Sequence, residues 1–239
     1  NELVGNPDPY YRIKRDSNRL ALSMVDSLRA KVRDAANPLL TAVELAVVGN
    51  IMDYGALRED MVTPELDRLL AEEDKRIRSE EAGAFRFDRF SEMLDGAANL
   101  LYIGDNAGEI VFDRVLLEEL HRRRPDLDIT FAVRGGPILN DVLTEDAEEA
   151  GISEFARVIS SGSTIPGTIL DRASEEFRSI FASSGLIISK GQGNFETLSD
   201  ESGPLFFLLM AKCPVIARHI GVQRGDVVLI PGRELGGNT

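Results

Sequence analysis

Asn99-Leu100-Leu101-Tyr102-Ile103-Gly104-Asp105-Asn106-Ala107-Gly108-Glu109 is the stretch that decides the fold. An apolar strand pattern runs straight into a turn carrying glycines, a carboxylate and a carboxamide. Open α/β sheets bind ligands in the crevice beyond the carboxyl ends of their strands. Side chains alternate faces along a strand, but in a turn Asp105 and Asn106 can reach one centre. Two adjacent hard oxygen donors suit a divalent cation such as Mg²⁺ or Mn²⁺. The same residues also satisfy a helix cap: Asn106 with Glu109 three residues on imitates a capping box, and Asp105 would sit at the positive end of the helix dipole.

Outward from this turn the chain changes character near residue 97. Before it the periodicity is helical. Ser17 to Ala36 reads as one amphipathic helix, with Leu20, Met24, Leu28 and Val32 at i+4 spacing and Asn37-Pro38 ending it. Pro38 to Gly49 reads as a second, buried helix, Thr63-Pro64-Glu65 as a helix start, and Phe87 to Gly96 as a further short helix. The charged stretch Glu72 to Glu81 reads as a solvated face. After residue 97, strand patterns at Leu100–Ile103, Asp128–Val133, Ala156–Ser160, Leu186–Ser189, Pro214–Arg218 and Val227–Ile230 alternate with helical ones at Glu109–Arg123, Ile138–Ala150, Thr168–Ala182 and Gly203–Lys212. That alternation predicts a three-layer α/β/α, Rossmann-like fold with a largely parallel sheet. The division is a helical N-terminal region, 1–97, and an α/β metal- and phosphate-binding domain, 98–239.

The 239 residues can bury a large core, and 43% apolar with 28% charged content is that of an ordinary globular protein. A formal charge of −13 disfavours nucleic-acid and anionic-membrane partners. The one basic run, His121-Arg122-Arg123-Arg124, closes a helix, where cations answer the dipole. A lone cysteine, Cys213, excludes an intramolecular disulfide and reads as a buried structural thiol at the start of a strand. No apolar run approaches the ~20 residues of a membrane span and no signal peptide is visible, so a cytoplasmic location is expected. The chain opens on Asn1 rather than Met, consistent with a natural start further upstream.

Polar signatures recur at the expected strand ends. Asp141, beyond Arg134-Gly135-Gly136-Pro137, can complete an Asp-Asn-Asp oxygen set with Asp105 and Asn106. Ser161-Gly162-Ser163-Thr164 can turn amides and hydroxyls toward a phosphate, which makes Gly162 and Ser163 candidates. Lys190, between a buried strand and two glycines, can serve as a point charge on phosphate, with Arg134 as a second clamp and Asn194 orienting the ligand. Arg218-His219 would close the fifth strand. Asn50 and Asp53 share one helix face and can close the crevice from the helical side; a helix C-terminus at Gly55 is their structural alternative. Thr168 stands where a P-loop needs Lys, no Gly-x-Gly-x-x-Gly follows the first strand, and neither His121 nor His219 has a ligand-spaced partner.

Taken together, Gly104–Glu109, Arg134 with Asp141, Gly162 with Pro166-Gly167, and Lys190-Gly191-Gln192-Gly193-Asn194-Phe195-Glu196-Thr197-Leu198 resemble the metal-dependent damage-control phosphatases, a family once classed only as a domain of unknown function. Asp8-Pro9-Tyr10, Lys14, Asn18 and the 49–55 segment are similar to the N-terminal signature of its compact prokaryotic branch. The resemblance implies a divalent metal (Mn²⁺, Co²⁺, Ni²⁺ or Mg²⁺) held at Asp105, Asn106 and Asp141, and phosphate contact by Lys190 with Asn194 nearby. It implies hydrolysis of small phosphorylated metabolites, such as sugar phosphates or damaged by-products. The expected nucleophile is a metal-activated water oriented by Glu109 or Asn50, or Asp105 itself. The competing readings are an S-adenosylmethionine-dependent carboxyl methyltransferase and a non-catalytic metabolite-binding protein. Oligomeric state is not specified by the sequence.

Overall fold

The computed structural model describes residues 7–49 and 83–232. Its helices are α1 (Tyr11–Ser23), α2 (Val25–Asp34), α3 (Pro38–Val48), α4 (Phe87–Gly96), α5 (Glu109–Arg123), α6 (Thr144–Ala150), α7 (Glu175–Ser183), α8 (Gln192–Leu198) and α9 (Pro214–Ile220). Its strands are β1 (Asn99–Ile103), β2 (Asp128–Val133), β3 (Arg157–Ser160), β4 (Leu186–Lys190), β5 (Leu205–Met210) and β6 (Val227–Pro231).

The strands form one sheet in the order β3-β2-β1-β4-β5-β6, parallel except for β6. Strand alternation divides the core in two. Leu100, Tyr102, Phe131, Ile188 and Phe206 face α1 to α6, whereas Leu101, Ile103, Ile187, Phe207 and Leu209 face α7, α8 and α9. This is a three-layer α/β/α fold, and α3 packs over α5, the first crossover helix. The outer edge of β6 is covered by main-chain bonds from the segment before α4, through Arg86 N–H to Leu229 O and Leu229 N–H to Ala84 O, both 2.8 Å. Covering an edge in this way removes a template for intermolecular pairing. Among the described residues no helix is long and apolar enough to cross a membrane.

Four local expectations are corrected. The segment 203–218 is inverted: Leu205–Met210 is the strand and Pro214–Ile220 the helix. Leu-Phe-Phe-Leu-Leu-Met is apolar throughout because a central strand is covered on both faces, and Pro214 sits at the first helical turn, where its missing N–H costs nothing. Cys213 is therefore the half-buried residue preceding α9, and Arg218-His219 belongs to that helix rather than to a strand end. The single helix expected over Ser17–Ala36 is broken at Met24, whose N–H bonds Ala21 O in a tightened last turn. The helix expected from Ile138 starts only at Thr144, after a loop in which Leu139 takes φ +44°. The helix expected from Thr168 starts at Glu175, where the Ser174 hydroxyl accepts the Phe177 N–H at 3.1 Å.

Candidate active site

The strand order reverses direction at β1 and β4, and their carboxyl ends frame a crevice. Beyond β1, the 105–107 backbone pairs with 140–142: Ala107 N–H donates to Asn140 O and Val142 N–H to Asp105 O, each at 2.9 Å. This short antiparallel contact sets Asn106 opposite Asp141. Asp105, Asn106 and Asp141 share a cavity of about 310 Å³ with Leu139, Pro166, Gly167, Gln192, Gly193, Met210 and Lys212. The three oxygen-bearing residues proposed from sequence thus meet at one surface.

Asn106 does not cap α5 with its side chain. Its Nδ2 donates to Asp105 Oδ2 at 2.7 Å and to Glu109 Oε2 at 3.3 Å, and Gly108, at φ +80°, occupies the position before the helix. The Asn106 main-chain oxygen accepts the Ile110 N–H at 3.2 Å, whereas its side-chain Oδ1 receives no hydrogen bond from the described residues. Its share of the wall is therefore an acceptor.

Arg134, at the end of β2, is a hub and not a surface clamp. It is 3% exposed, and its donors are taken by Asp141 Oδ2 (2.6 Å), Gly167 O (2.6 Å), the Thr168 hydroxyl (2.7 Å) and Asn194 Oδ1 (3.1 Å). Asn194 donates to Lys190 O at 2.8 Å and to Gly104 O at 3.3 Å, tying α8 to β4 and β1. Gly162 and Ser163 stand further back. The Gly162 and Ser163 amides bond the Ser160 and Ser161 hydroxyls, and Gly135 packs directly on Gly162. That turn supports Pro166 and Gly167, which do reach the cavity.

Lys190 lies behind the cavity wall. It is fully buried and bonds Asp113 Oδ1 (2.5 Å), Glu109 Oε1 (2.6 Å) and Ala46 O (2.7 Å). Glu109 faces this ammonium and Asn106, so it touches the site through Asn106. Asn50 and Asp53 lie outside the described residues, as does the helix start at Thr63.

Glu109, Asp113 and Lys190 bury two carboxylates against one ammonium. Burial therefore raises Asp113 to about 6, despite hydrogen bonds from Lys190 and Tyr102 that favour its ionised form. A carboxyl raised on folding binds its proton more tightly in the native state. Its stabilising contribution is full below the unfolded value near 4 and is lost as pH rises through 6. Asp113→Asn should abolish that component. The stability advantage of wild type over the variant, read from urea midpoints, should shrink by on the order of 2 kcal/mol between pH 4 and pH 7. A difference that is flat or grows with pH would refute this account.

Asp105 and Asp141 at the cavity, and Glu109 and Asp113 buried behind it, face Arg134 and Lys190, with Lys212 a third cation on the cavity wall: four carboxylates against three cations. The excess shows at Asp105, whose carboxyl is pushed well above its ordinary value by burial first, then by Glu109 and Asp141, with Arg134 and Lys190 opposing. A group in this state takes up either a proton or a metal cation. Among the described residues no three His, Cys, Asp or Glu side chains form a metal cluster by themselves. The oxygen set that fits a hard cation is mixed, with the Asn106 carbonyl beside Asp105 and Asp141.

Gly191 fixes the position of Asp105. It adopts φ +80°, and a Cβ built on it would overlap the Asp105 carboxylate. The space beside this glycine is taken by Asp105. The charged cavity residue that the sequence reading missed is Lys212. It stands just beyond β5, and its signal was hidden by reading Leu205–Met210 as a helix.

Comparison with known proteins places the chain in a family. Residues 1–228 match the damage-control phosphatase ARMT1-like domain. A damage-control phosphatase of Pyrococcus horikoshii is 37% identical over 230 residues, covering 95% of this chain and 76% of its own. One of Archaeoglobus fulgidus is 37% identical over 229 residues, covering 95% and 77%. An uncharacterized protein of Methanocaldococcus jannaschii is 38% identical over 240 residues, covering 96% and 75%. The crystal structure of a DUF89 family protein from Pyrococcus horikoshii superposes with a TM-score of 0.84 at 34% identity, covering 97% of this chain and 78% of that one. By family match, relatives and fold alike, the chain belongs to the damage-control phosphatase ARMT1-like family.

Proposed function

We propose that this chain is a divalent-metal-dependent phosphatase of small phosphorylated metabolites, sugar phosphates among them. One observation carries the reading: the Asp105 and Asp141 carboxylates meet the Asn106 side chain at one small cavity, in a member of a damage-control phosphatase family. Asp105, Asn106 and Asp141 would hold the metal, which when bound supplies positive charge to the phosphoryl oxygens. Mn²⁺, Co²⁺, Ni²⁺ and Mg²⁺ are the candidates.

The chain's own residues do the rest. Lys212 brings a cation to the cavity wall, suited to a phosphate oxygen. Arg134 and Lys190 act indirectly, by holding Asp141, Asn194, Glu109 and Asp113 in place. A cavity of about 310 Å³ has room for a ligand of sugar-phosphate size. Asp105 is held by Asn106 on one side and crowded by Gly191 on the other, which suits a fixed ligand better than a nucleophile that must swing into line. Water is therefore the attacking group: its oxygen bonds to phosphorus as it gives up a proton, the ester P–O bond breaks, and the leaving alkoxide takes up a proton in turn. A carboxyl methyltransferase is not favoured, because the floor presents carboxylates where a methionine carboxylate would have to sit.

The test is hydrolysis of p-nitrophenyl phosphate and a panel of sugar phosphates, after exhaustive chelation and after adding back each metal. Chelation should lower turnover about 100-fold or more, with recovery on metal addition. Lys212→Ala should raise KM about 10-fold or more while metal affinity stays unchanged. Full turnover after chelation would sink the metal requirement. Failure to hydrolyse any phosphate ester with any metal would sink the phosphatase reading itself.

A further inference from the structure

Helix α1 buries a polar stripe. Lys14 and Asn18, one turn apart, are 1% and 0% exposed, where an amphipathic helix ordinarily places apolar side chains. A buried ammonium and carboxamide are costly unless their donors and acceptors are met. Here they are met by groups that belong to the site. Asn18 Oδ1 accepts the Gly108 N–H at 2.6 Å, while its Nδ2 donates to Asp146 Oδ1 at 3.1 Å and Glu149 Oε2 at 3.2 Å. Lys14 Nζ lies 3.1 Å from both Asp146 Oδ2 and Asp8 Oδ2. Asp146 Oδ2 also accepts the Leu143 N–H at 2.9 Å.

Gly108 closes the turn that carries Asp105 and Asn106, and Leu143 closes the loop that carries Asp141. Both loops therefore end on one side-chain node, in which Lys14 and Asn18 of α1 meet Asp146 of α6. We propose that Asn18 is a positioning residue which, with Lys14 and Asp146, ties these two loops together and so sets the spacing of the metal donors. The loops already touch through their main chains; the node fixes their far ends. The link to metal rests on the proposed phosphatase reading, whereas the coupling of the loops does not.

Hydrogen exchange and Mn²⁺ titration on wild type, Asn18→Ala and Lys14→Met test it, with Val32→Ala as the control. Val32 is buried on α2 and belongs to neither loop nor node, so its truncation reports general destabilisation. Asn18→Ala should speed exchange at Gly108 and across 138–143, and weaken Mn²⁺ binding about 10- to 100-fold, the range seen when groups that orient metal ligands are removed. Lys14→Met should loosen 138–143 more than Gly108, because Lys14 reaches the site only through Asp146. Val32→Ala should alter neither loop relative to the rest of the chain. Loops unchanged in Asn18→Ala, or loosened equally by Val32→Ala, would overturn the proposal. If wild type binds no Mn²⁺ while Asn18→Ala alone frees both loops, the coupling stands and the phosphatase reading falls.

Discussion

Asp105→Asn is expected to lower phosphate-ester hydrolysis by about 10³-fold or more and to remove metal binding, while leaving the metal-free protein more stable than wild type. The substitution keeps shape and removes charge. In wild type the Asp105 carboxylate is largely shielded beside Glu109 and Asp141, and its ionised form is disfavoured there. Removing that charge relieves the repulsion, so the urea midpoint in chelator should rise. Added Mn²⁺ should then raise the midpoint of wild type, because a ligand that binds only the folded state stabilises it by mass action, and should leave the variant's unchanged. Turnover within tenfold of wild type, or a lowered midpoint, would return Asp105 to a structural role.

Gly191→Ala should have the opposite effect on stability and the same effect on activity. The backbone at φ +80° strains any residue with a Cβ, at about 1–3 kcal/mol. The added methyl would also overlap the Asp105 carboxylate, which must then leave its place beside Asn106. The combined loss should be about 2–4 kcal/mol, with hydrolysis nearly abolished. A double-mutant cycle separates the contributions. In an Asp105→Ala background, Gly191→Ala should cost only the backbone part, because the colliding carboxylate is gone. Strict additivity would show that the two residues do not compete for space.

Much of this was legible from residues 99–109 outward. A run of apolar residues ending in Gly104-Asp105-Asn106 places a polar turn at a strand end whatever the rest of the chain does. Asp141 was found because hard-ligand residues at the ends of neighbouring strands must converge. Leu205–Met210 was misread because a strand covered on both faces loses its alternation and looks like buried helix. That one inversion hid Lys212. Lys190 and Arg134 were correctly placed at strand ends, but no pattern along a chain shows whether a cation faces a cavity or turns back to neutralise carboxylates behind it. Asp113 and Tyr102 escaped notice for the same reason. They sit within ordinary helix and strand patterns, and only packing brings them against Lys190.

The contact between 105–107 and 140–142 is built from main-chain groups alone. The distance between the two halves of the donor set therefore does not depend on which side chains occupy positions 107, 139, 140 and 142. Asn140 lies on this ladder and Leu139 just before it, both at the cavity's boundary, and neither side chain takes part in the main-chain bonds that set Asp141. For the phosphatase proposed above, selection or a designer could thus rewrite the wall while the metal donors beneath stay in register. New specificities would then be reachable by single substitutions that leave the reaction intact.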